Sequence, residues 1–161
     1  MNDTFNLSSL YTASCYDKDG NLKWHEEVPN LVVNQGLNDL LDKYFKGSTY
    51  TASHYVGLKG AGTVVAGDTL ASHGGWSEVT AYTGDRKALT LGSVASQSVS
   101  NTASKATFEI TGNATVAGAF VTDQETGTSG ILYGAANFSS SRSVEDGDTL
   151  EVTVTLNASA A

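Results

Sequence analysis

The run Thr149-Leu150-Glu151-Val152-Thr153-Val154-Thr155-Leu156 alternates without a break between polar and apolar side chains. Successive side chains of a strand point to opposite faces, so this run has one face for a core and one for water. A helix would scatter the same four apolar residues around its circumference. A chain that carries such a run must build a sheet, and it must supply a second layer to cover the sheet's apolar face.

The rest of the chain is consistent with that demand. Its 161 residues include 17 Gly, 18 Ser and 19 Thr, with only 16% charged residues and 40% apolar ones. Lys, Glu, Leu and Arg, which long helices use on their surfaces and seams, are scarce, so a helical protein is disfavoured and a disordered one excluded. Phe5 to Tyr16 and Leu22 to Val28 are extended runs joined by Asp17-Lys18-Asp19-Gly20-Asn21, a hairpin signal because Gly supplies positive φ at no steric cost; Pro29 ends the unit. Further strands are predicted at His54 to Lys59, Lys87 to Leu91, Lys105 to Thr111, Val116 to Thr122 and Ile131 to Phe138.

One segment has a helical period. Leu37, Leu40, Leu41, Tyr44 and Phe45 fall on one face of a helix over 34–46, with Asn34 as N-cap and Gly47 as its stop, and this apolar face is expected to close an open end or face of the β core. We therefore read residues 1–16 as an N-terminal arm and first strand. Residues 17–161 read as a single mainly-β domain, a β-sandwich or jelly roll of about eight strands that includes the helix.

Charge and motif content narrow the function. With 9 basic against 17 acidic residues the net charge is -8, and two Arg and seven Lys scattered along the chain make no basic stripe, so neither nucleic acid nor a membrane is an expected partner. The first residues have no basic-then-apolar pattern of a cleaved signal, and no segment has the about 18 consecutive apolar residues that span a bilayer. Cys15 has no partner for an internal disulfide; in a predicted strand a small buried apolar role outweighs a reactive thiol.

Catalysis is weakly supported. His25 and His54 stand in or beside strands without companions, while Asp68, Ser72 and His73 stand close in sequence but lack the Gly-x-Ser-x-Gly elbow that exposes a nucleophile. Asp17, Asp19 and Asn21 resemble the start of a calcium loop, but Leu22 and Val28 occupy the positions that require Gly and Glu. No catalytic residue, metal site or cofactor is assigned. Six apolar residues in polar or Gly-rich segments are instead candidate partner contacts: Phe5 and Leu7 in the segment Asn2 to Ser9, and Val64, Val65, Leu70 and Trp76 in the loop from Gly60 to Trp76.

An ordered series of phrases resembles a family of small structural proteins of tailed bacteriophages. The phrases are Asn30-Leu31-Val32-Val33-Asn34-Gln35-Gly36-Leu37-Asn38-Asp39-Leu40-Leu41, His54-Tyr55-Val56-Gly57-Leu58, and Gly67 through Val79 with its His73-Gly74-Gly75-Trp76. Thr115-Val116-Ala117-Gly118-Ala119-Phe120 and Gly147 through Thr155 complete the series. The resemblance implies a head decoration, or cement, protein on the outer surface of the virion, assembled in the host cytoplasm. Its expected partners are the major capsid protein of the same phage and further copies of itself, as a trimer or dimer bridging coat subunits. The alternative it leaves open is a tail-associated or tail-fibre-like module whose loops and Trp76 bind a host receptor or glycan.

Overall fold

The computed structural model describes residues 5–50 and 52–160. β1 (Phe5–Tyr16) and β2 (Leu22–Pro29) form the first hairpin, and Asp17 Oδ1 accepts the backbone N–H of Asp19 and Asn21 while Gly20 takes φ +84°. Next come β3 (Leu31–Val32), the helix α1 (Asn34–Leu40) continued by a π-helical turn (Leu41–Phe45), and β4 (Tyr55–Gly62). The short strands β5 (Trp76–Val79), β6 (Lys87–Ala88), β7 (Ser98–Ser100) and β8 (Ala106–Glu109) precede three long ones, β9 (Ala114–Thr122), β10 (Leu132–Val144) and β11 (Thr149–Ala160).

These strands make two antiparallel sheets. In the first, β2, β1 and β11 lie side by side, and β7 and β8 share the outer edge of β11. The second runs β3-β10-β9-β4-β5, with β6 also paired to β4. β1 pairs with β11 from Phe5↔Ala160 to Tyr16↔Thr149, so the two ends of the chain build the middle of the first sheet.

Alternation then decides what is buried. Tyr11, Ala13, Cys15, Phe108, Leu150, Val152 and Val154 of the first sheet meet Val56, Leu58, Val116, Ala119, Val121, Ala136 and Phe138 of the second, and this shared layer is the main core. The fold is the expected β-sandwich, with eleven strands among the described residues because the brief β3, β5 and β7 carry too few residues to show a period. Cys15 is a buried member of this layer; desolvation, with the Asp148 carboxylate nearby, pushes its thiol up to about 12.

The second sheet is buried on its outer face as well. Phe120 lies there, paired with Gly57 of β4, and its ring occupies the space a Gly57 side chain would need. Gly57→Ala forces overlap with that ring and should cost about 1–3 kcal/mol. In denaturant titration the loss should be smaller in a chain that already carries Phe120→Leu, because the two sites are in contact.

Candidate interaction surface

The loop after β4 is the cover of that outer face. Val33, Leu70, Trp76, Phe120, Leu132 and Ala135 form a second apolar cluster, with Val64 packed against it. The Trp76 and Phe120 rings meet at 5.3 Å, and the Arg86 guanidinium lies over Phe120 from 5.3 Å while making a two-bonded pair with Glu78. Asp68 Oδ2 accepts the Trp76 indole N–H at 3.0 Å and the Val65 N–H at 3.0 Å, which ties the loop's start to its end. His73 stacks on Trp76 at 3.9 Å.

Lys59 lies beneath this arrangement, fully buried. Its ammonium donates to the carbonyls of Gly60 and Gly62 at 2.9 and 2.7 Å and faces the Trp76 ring at 5.6 Å; among the described residues no carboxylate comes within ion-pair distance. Burial lowers its pKa to about 8, only partly opposed by the charge of Asp68. The two carbonyls and the ring substitute for water at a real cost in free energy, and the lysine thereby holds the loop's first turn against the sheet.

The six residues singled out as contacts do not form one surface. Leu70 is 1% and Trp76 6% exposed, so both pack into the chain's own apolar cluster and do not lie open on its surface as expected. The physical reason is the apolar outer face of the second sheet, which needs a cover and finds it in this Gly-rich loop together with Val33. Val64 is half-buried at the edge of the same cluster, and Val65 is exposed. Leu7 is half-buried and lines a separate groove with Leu89, Tyr133 and Leu156. Phe5 opens β1, but its side chain, like residues 2–4, lies outside the described residues.

The expected histidines and acids are also dispersed. His25 Nδ1 sits 2.9 Å from Ser14 Oγ on an exposed sheet face, and His54 packs edge-on against Tyr133, where desolvation lowers its pKa. Among the described residues no three His, Cys, Asp or Glu side chains converge on a metal-sized site, and no helix is long and apolar enough to cross a membrane.

The helical segment departs most from expectation. It docks through Gly36, whose Cα lies so close to β10 that an added Cβ would stand 2.6 Å from the Tyr133 carbonyl oxygen. Gln35 stitches three segments together: its Oε1 accepts the N–H of Leu70 and of Leu132, and its Nε2 donates to the Gly130 carbonyl. Asp39 accepts the Tyr133 hydroxyl at 2.9 Å. With the 35/36/39 face turned inward, Leu37, Leu41, Tyr44 and Phe45 are left exposed, so the predicted apolar face does not seal the core. The cap differs as well, since Val33 precedes the first turn without a side-chain bond and Asn34 lies inside the helix.

Behind the segment the space between the sheets stays open. A groove of about 640 Å³ runs under Leu40 and Phe45, walled by Leu7, Leu89, Leu91, Val121, Tyr133 and Leu156. Several of these walls continue the main core, so the groove is an unfilled mouth of the sandwich.

Residues 32–157, more than three-quarters of the chain, match the family of the podophage GP4 fiber I protein gp80. The chain belongs to this family. It is a structural protein of a tailed-phage virion, as the resemblance implied, but the family that matches is named for a fibre and not for head decoration. Among curated proteins none matches the chain.

Two outcomes follow for this gp80-family chain. Trp76→Ala should cost about 3–5 kcal/mol of stability in denaturant titration, as loss of a packed aromatic does. For Lys59, the folded chain releases its proton near pH 8 and the unfolded chain near the ordinary 10.5, so between these values the unfolded state binds more protons. The stability of the native chain relative to Lys59→Met should therefore rise with pH, by about 2 kcal/mol from pH 7 to 10, while the tyrosines and Cys15, common to both, cancel in the difference.

Proposed function

We propose that this protein is a structural module of the phage's fibre, carried at the tail and not on the head. The observation that carries the reading is the match of residues 32–157 to a fibre-protein family. Two features are in keeping with it. β1 and β11 pair along the middle of one sheet, so neither of these long strands is left as an open edge for uncontrolled association. A net charge of -8 disfavours adhesion to DNA and to other anionic surfaces.

The module serves by assembly. Trp76, the residue on which a loop-borne glycan site would have rested, is committed to packing, so recognition of a host receptor does not run through that ring. The head-decoration role, with the major capsid protein as partner, has no comparable support.

The test is quantitative protein content of purified virions combined with immunogold labelling. A fibre module should label the tail and be present far below the copy number of the coat protein. Label spread over the head, at a copy number comparable to the coat, would replace this reading with the cement role.

A further inference from the structure

The groove between the sheets has the form of a small-molecule site. At about 640 Å³ it falls within the roughly 300–1,000 Å³ that such sites occupy. Its lining is mostly aliphatic: Leu7 and Leu156 come from the first sheet, Val121 from the second, and Leu40, Leu89 and Leu91 complete it. Water needs two to four polar partners and finds few along such walls. An apolar guest gains dispersion contacts with all of them.

The polar groups of the lining select the head of that guest. Asp39 accepts the Tyr133 hydroxyl at 2.9 Å and stands 3.9 Å from the Lys43 ammonium, so acid and base answer each other. His54 is desolvated against Tyr133, which lowers its pKa and keeps the ring uncharged at neutral pH. Asn30 donates its amide N–H to Ser9 Oγ at 2.6 Å, and its Oδ1 is an acceptor without a donor among the described residues. The groove therefore offers hydrogen-bonding atoms but no free charge. A carboxylate or phosphate head would also approach against the chain's net charge of -8.

We propose that the groove binds one molecule of a neutral aliphatic amphiphile, a long acyl or alkyl chain lying between the sheets with an uncharged hydroxyl head beside Asn30. The site stands apart from the fibre assignment and can fail or hold without it.

Displacement of the neutral dye Nile red from the intact chain by 1-monododecanoylglycerol, with native mass spectrometry for stoichiometry, tests it. One molecule should bind per chain with a Kd on the order of 10 μM, about tenfold tighter than dodecanoate, which has the same tail and an anionic head. Leu91→Trp, which puts an indole at a half-buried position of the lining, should weaken binding about tenfold or more with the circular dichroism retained. Asp39→Asn leaves Lys43 without its acid and should narrow the preference over dodecanoate. The head-group preference decides if Leu91→Trp fails to fold. A wild type that takes up neither compound, dodecanoate bound as tightly as the glycerol ester, or undiminished binding in a folded Leu91→Trp would each overturn the proposal. Uptake that falls as chain concentration rises would overturn it too, because the groove's occupant would then be another chain.

Discussion

Phe120 points away from the main core, on the side of its sheet that would normally face water, and yet it is fully buried. Gly57 leaves the room for its ring, Trp76 and Arg86 close on it from either side, and Leu70 and Val33 complete the enclosure. An apolar residue on an outer face must be covered or it costs hydration free energy, so the long loop after β4 is bound to fold back over the sheet. The lysine under that loop, the Asp68–Trp76 bond and the attachment of Gln35 to Leu70 all follow from the need to hold the cover in place.

The same constraint determines where the molecule is available to others. One face of the second sheet is taken by the first sheet and the other by the loop, and the helical segment is bound through its polar side to the loop and to β10. What stays open is the outer face of the first sheet, where Ser14 and His25 lie, together with the apolar side of that segment and the mouth of the sandwich beside it.

Much of the fold was legible in the sequence. The period-2 runs of β8 and β11 and the Asp-Gly hairpin announce themselves because each strand there has one dry face and one wet face. The second sheet was harder to read for the same reason: Val116-Ala117-Gly118-Ala119-Phe120-Val121 has no polar alternation, which is the mark of a strand buried on both sides. Had that run been read so, it would have demanded a cover, and Leu70 and Trp76 would have been assigned to it and not to a partner. The helix position was visible and its orientation was not. Apolar spacing marks the stripe Leu37-Leu41-Tyr44-Phe45, whereas docking is decided by a backbone approach at Gly36 and by the amide of Gln35, neither of which leaves a periodic trace.

The central claim is that the long loop after β4 is an internal cover of the second sheet. Amide hydrogen exchange of the intact chain, followed by mass spectrometry, tests it most directly. The account predicts that peptides spanning 64–76 exchange far more slowly than those of the exposed turn 124–130. Exchange across 64–76 as fast as in that turn would contradict it.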